Sequence, residues 1–145
     1  MNLPFMERLA IEDECRRIVA LAAAHSDAGD HAAFSDLFGP DGVLVRPDGT
    51  VLQGPQAILA AYLQRPAHRM TRHVISGSLF SDVSATQCHA ISTVTLWVGD
   101  TRVPATPLGR PVSQPVVVGE FDDHFERVGE IWCIARREAR FLLSS

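Results

Sequence analysis

The feature that most constrains this chain is a change of texture near Met70. Before it, apolar residues recur at helical spacing and are interrupted by Gly and Pro. After it come long runs rich in Val, Ile, Thr, Phe and Trp, which read as strands over 70–82, 86–99, 113–128 and 131–142. Asp82-Val83-Ser84 and Gly129-Glu130 separate two of the pairs. A Pro/Gly-rich stretch over 100–112, with Pro104, Pro107, Gly109 and Pro111, separates the third and is expected to be a mobile lid or a dimer contact. Helices first and an antiparallel sheet after predict an α+β fold with the helices on one face of the sheet.

The first half supplies the helices. Ile11, Cys15, Ile18, Val19, Ala22 and Ala23 mark one face of a helix over 7–28. Glu12, Asp13 and Glu14 near its start suit the positive end of the helix dipole, and Gly29 stops it. Asp30 reads as the N-cap of a short helix over 31–38. A turn at Asp41-Gly42, short strands at 43–45 and 51–53, and a turn at Pro47-Asp48-Gly49 follow. Pro55 then opens a third helix that buries Ala57, Ile58, Ala61, Tyr62 and Leu63 and ends at Pro66.

The 145 residues suit a single domain over 1–145, and an apolar fraction of 46% supplies a core. A net charge of −4 with no basic stripe argues against nucleic-acid and anionic-membrane partners. Cys15, Cys88 and Cys133 lack metal-ligand spacing and read as free buried thiols of a cytoplasmic protein. No run reaches the ~20 apolar residues of a membrane span. No cofactor is implied, because Gly-rich phosphate loops, Gly-x-Ser-x-Gly elbows and Cys–His nucleophile patterns are all missing. Glu120, Asp122, Asp123, His124 and Glu126 form a tempting acidic cluster. Alternation puts Glu120, Asp122, His124 and Glu126 together, opposite Phe121 and Phe125, which reads as a solvated or subunit-facing polar face and not as a metal site.

Two residues carry chemistry. Asp27 lies one helical turn from Ala23 and Ala24, on a side whose small residues leave space for a ligand. His73 shares a strand face with Thr71, Ile75 and Gly77, and Ile75 marks that face as inward. A neutral imidazole is a natural general base near pH 7, and a carboxylate on its other nitrogen fixes the tautomer.

Several fragments, in order, resemble the SnoaL-like group of the nuclear-transport-factor-2-like superfamily. They are Ala28-Gly29-Asp30-His31-Ala32-Ala33-Phe34, Pro40-Asp41-Gly42-Val43, Gly54-Pro55-Gln56-Ala57-Ile58, Thr71-Arg72-His73-Val74-Ile75-Ser76-Gly77 and Gly129-Glu130-Ile131-Trp132-Cys133-Ile134. The resemblance implies a cone: a curved antiparallel sheet that encloses a cavity with three N-terminal helices. In the dehydratase and dehydrochlorinase branches a first-helix Asp and a strand His act as a dyad, and Asp27 and His73 match those positions. The dehydrochlorinase-like branch adds an Arg before the last hairpin turn, which Arg127 matches. The chain departs from those patterns at Ala22 and Ser26, where they carry Tyr or Lys. Arg46 falls near another family Tyr, and the sole Tyr of the chain is Tyr62.

These readings imply a cofactor-independent lyase or isomerase. Its substrate would be a small apolar or aromatic, polyketide-like carbonyl compound. Asp27 and His73 would be catalytic, and Arg127, Arg46, Tyr62, Trp97 and Trp132 would contact substrate. The alternative is a non-catalytic ligand-binding or assembly module of the same fold. A homodimer through the open sheet face is expected, since Val116, Val118 and Thr93 would otherwise be exposed there.

Overall fold

The computed structural model describes residues 2–145. Helices α1 (Phe5–Ala28) and α2 (His31–Ser35) come first, then strands β1 (Phe38–Val45) and β2 (Val51–Gln53), then helix α3 (Pro55–Leu63). Four long strands follow: β3 (Arg69–Ser81), β4 (Gln87–Asp100), β5 (Val117–Val128) and β6 (Ile131–Ser144). One curved, unclosed six-stranded sheet runs in the order β2-β1-β6-β5-β4-β3. The architecture is the α+β fold expected of the texture change, in the cone form that the resemblance implies. The sheet differs in one respect, because β1 runs parallel to β6 while every other pair is antiparallel. A parallel pairing needs a long crossover, and the whole helix-to-sheet excursion between β1 and β6 provides it.

Helix α1 buries Cys15, Ile18, Val19, Ala22 and Ala23, the face the spacing marks. It ends where Gly29 adopts a left-handed φ of 72°. The Gly29 and Asp30 amides then donate to the carbonyls of Ser26 and His25 and close the last turn. Asp30 caps α2, its Oδ1 accepting from the Ala33 amide at 3.1 Å. Below the cavity the core joins Cys15, Ile58, Cys88, Phe125, Trp132 and Ile134 into one cluster.

Four local expectations give way. Helix α2 stops at Ser35, and Phe38 already belongs to β1. Asp41-Gly42 lies inside β1, in a bulge between Phe38 and Val43. Pro40 has no amide to give to the ladder, so the chain loops outward there. The return depends on Gly42, since a Cβ at that residue would lie 2.9 Å from the Gly39 carbonyl oxygen. Strand β5 begins at Val117 and not at residue 113, because Pro115 cannot donate to a central ladder. Leu63, expected on the buried side of α3, is 61% exposed.

Candidate functional site

The last turn of α1 and the first half of β3 meet at Asp27. Its Oδ1 accepts from the Thr71 hydroxyl at 2.9 Å, and its Oδ2 accepts from the His73 amide at 2.9 Å. The same Oδ1 lies 2.6 Å from His73 Nδ1. Helix C-termini disfavour negative charge, so this carboxylate is held against the dipole by three donors from one strand. Strand alternation turns Thr71, His73 and Ile75 inward, as expected, until a bulge between Ile75 and Gly77 shifts the register.

Both side chains are largely shielded from water. Burial alone would push the Asp27 carboxyl up, but the bonds and charge of His73, with Thr71 behind them, leave it below its ordinary 3.8. An ionised carboxylate only accepts, so Nδ1 of His73 is the donor of this bond. Asp27 thereby holds the imidazole in one orientation.

A carboxyl whose folded pKa lies below its unfolded value stabilises the fold fully above the unfolded value and loses that contribution as pH falls through the folded one. Wild-type stability to urea should therefore drop as the pH falls below about 4, and Asp27→Asn should flatten that stretch of the curve. Parallel curves for the two proteins would refute the assignment.

His73 lines a cavity of about 260 Å³ that lies between α1, α3 and the inner face of the sheet and opens to solvent on one side. Ala22, Leu44, Val94, Leu96 and Phe121 supply apolar wall. Ala22 and Ala23 keep the helix side open, and Gly119 keeps the sheet side open. A Cβ on Gly119 would collide with the Arg140 carbonyl oxygen across the β5–β6 bulge.

Of the residues singled out in the sequence, Arg46 and Tyr62 line this cavity beside His73. Tyr62 stacks on Phe34 with ring centroids 4.6 Å apart. The other four do not line it, and Asp27 meets it only through its bond to His73. Trp97 lies on the outer face of β4, 44% exposed, because its neighbours Leu96 and Val98 take the inward positions. Trp132 is buried in the core cluster, and in register beside it the exposed Arg127 lies at the β5–β6 hairpin end.

The sequence reading missed a buried ion pair. Arg137 on β6 sits directly across from Asp123 on β5 and donates two bonds to its carboxylate, at 2.7 and 2.9 Å. Both side chains are almost fully buried. The Arg137 guanidinium also covers the Phe121 ring at 4.0 Å and lines the cavity. A signal existed: alternation places Asp123 on the face of Phe121 and Phe125, where a charge needs a partner.

The outer face of β5 is polar, as expected. Asp122 bonds His89 Nε2 at 2.6 Å and Arg140 at 2.8 Å, and the rings of His89 and His124 stack at 4.4 Å. Asp122, His89 and His124 bring one ligand atom each within 4.8 Å of one another. Arg140 already neutralises that carboxylate, so the face is an ion-pair ladder.

Among the described residues no helix is long and apolar enough to cross a membrane. The sequence matches the SnoaL-like domain family over residues 7–138. No match emerges among curated proteins. Solved structures of like fold include a Mycobacterium tuberculosis protein of unknown function, 20% identical with a TM-score of 0.79, the match covering 97% of this chain and 76% of that one. A scytalone dehydratase-like protein from Novosphingobium aromaticivorans is 20% identical with a TM-score of 0.80, covering 97% and 91%. The hexachlorocyclohexane dehydrochlorinase LinA-type3 from Novosphingobium barchaimii LL02 is 14% identical with a TM-score of 0.81, covering 98% and 93%. At these identities the likeness concerns the fold.

Proposed function

The chain belongs to the SnoaL-like domain family, and from that premise we propose that it is a cofactor-independent lyase or isomerase with Asp27 and His73 as its proton-transfer pair. One observation carries the reading: Asp27 Oδ1 lies 2.6 Å from His73 Nδ1, and His73 lines a mainly apolar cavity. His73 Nε2 removes a proton from a carbon next to an electron-withdrawing group. The C–H electron pair becomes a new double bond as a leaving group departs from the neighbouring carbon with its own electrons. In the isomerase variant, the proton returns further along the conjugated system. Asp27 stabilises the imidazolium that forms in between, and the dry walls strengthen that attraction. Arg46 and Tyr62 are the polar groups of the lining proposed to orient the substrate carbonyl.

The test is deuterium exchange. A panel of hydroxylated aromatic and cyclic ketones incubated in D₂O with the protein should gain deuterium at the carbon next to the carbonyl, followed by NMR. A panel that exchanges no faster than in buffer would favour the ligand-binding module. We also propose a cytoplasmic protein, on the strength of its three buried free thiols. It should be a homodimer across the outer sheet face, where Val74, Leu79 and Trp97 are exposed. Sedimentation as a 15.8 kDa monomer at micromolar concentration would overturn the dimer.

A further inference from the structure

The mouth of the cavity holds three cations that make no ion-pair contact among the described residues. Arg46 follows β1, Arg65 follows α3 and Arg69 opens β3, so the three come from separate stretches of sequence. All three line the cavity, and all three also line a wider recess of about 370 Å³ at its opening. Among the described residues none of them is in ion-pair contact with a carboxylate, whereas Arg8, Arg102, Arg136, Arg137 and Arg140 each are. The rest of the lining is balanced, since Asp123 neutralises Arg137 and Glu120 and Asp122 neutralise Arg140. Asp48 is the one free carboxylate of the lining. It is exposed, its Oδ1 accepts from the Thr50 amide at 2.9 Å, and it feels the charge of Arg46 only through space, without an ion-pair contact.

The three guanidinium groups are half-buried, so solvent screens them only in part. Arg65 lies over the Tyr62 ring, its central carbon 3.9 Å from the ring centroid. Burial works against the charge of Arg69, and the neighbouring charges of Arg65 and Arg46 add to that. Arginine does not escape such a cost by losing its proton. Like charges gathered without a counterion raise the energy of the empty protein, and a bound anion lowers it. Planar forks of this kind match carboxylate, sulfate and phosphate oxygens two at a time.

We propose that the ligand of this cavity is an amphiphilic anion: an apolar, ring-sized body that reaches His73, with a carboxylate, sulfate ester or phosphate ester held at the mouth by Arg46, Arg65 and Arg69. The proposal rests on the preceding reading that the cavity is the ligand site, and it narrows the substrate class from apolar carbonyl compounds to anionic ones. It also gives Arg65 and Arg69 a role in choosing the substrate.

Calorimetric titration tests it with four probes of one shape: 2-naphthoate, 2-naphthyl sulfate, 2-naphthyl phosphate and neutral 2-naphthamide. At least one anion should bind about tenfold or more tighter than the amide, a gap of ~1.4 kcal/mol. The ranking of the three anions names the headgroup. Arg65→Gln/Arg69→Gln should erase the preference, and Arg46→Gln alone should reduce it. Arg127→Gln, at the hairpin end, should leave it intact. Thermal unfolding confirms that each variant is folded, and the Arg46→Gln arm stands if the double variant is not. Equal binding of the amide and all three anions would overturn the inference and leave the cavity as a ligand site. A preference that survives the arginine substitutions would overturn it as well. If no probe binds at millimolar concentration, or if binding leaves the His73 ring signals unmoved in NMR, the reading of the cavity itself falls. Asp27→Asn should retain the anion preference even where it removes exchange activity, so the two proposals fail separately.

Discussion

Asp123→Ala should destabilise the fold by about 3–5 kcal/mol, the usual cost of leaving one member of a buried ion pair without its partner. Arg137 would keep its charge inside a wall that excludes water, with two donors left unbonded where the Asp123 carboxylate stood. A loss of that size is a large share of the ~5–15 kcal/mol that holds a domain together. Urea denaturation at neutral pH measures it, read from the shift in midpoint at constant slope. The paired replacement Asp123→Leu/Arg137→Met should recover most of the loss, because the desolvation cost leaves together with both charges. A loss below ~1 kcal/mol in Asp123→Ala would mean that water reaches the pair and that it behaves as a surface ion pair does.

The second large effect concerns turnover. His73→Ala removes the proposed base, and Asp27→Asn removes the charge that orients it, so each should lower the rate of deuterium exchange by ~10²–10⁴. The asparagine amide can donate to Nδ1, which moves the ring proton to Nε2 and leaves no lone pair toward the cavity. The two changes should not add, since both disable one device. The double variant should therefore be about as slow as His73→Ala. Thr71→Val removes only one of the three bonds to Asp27 and serves as the control, with a smaller loss of rate. Full activity in both Asp27→Asn and His73→Ala would end the proton-transfer reading.

Much of this was legible in the residues. The helical spacing of Cys15, Ile18, Val19, Ala22 and Ala23 sets the buried face of α1, and period-two alternation turns His73 inward, because both patterns depend only on neighbours in the chain. Gly29 marked the helix end for the same reason. Less legible was the stretch from Ser35 to Gly42, where weak helix and strand tendencies compete and the bulge in β1 depends on β6. Trp97 and Trp132 look alike as sequence, two aromatic residues in strand-like runs. Parity assigns Trp97 to the outer face once the inward residues of β4 are known, while Trp132 packs among core residues from elements far along the chain.

Local periodicity thus dictated the elements, the faces they bury and the facing of Asp27 and His73. It could not say which distant faces meet. The parallel seam between β1 and β6, the Asp123–Arg137 pair and the gathering of Arg46, Arg65 and Arg69 at one opening all depend on strand order, register and bulges. Those are properties of the folded chain as a whole, selected by burial and charge pairing between segments that the sequence holds far apart.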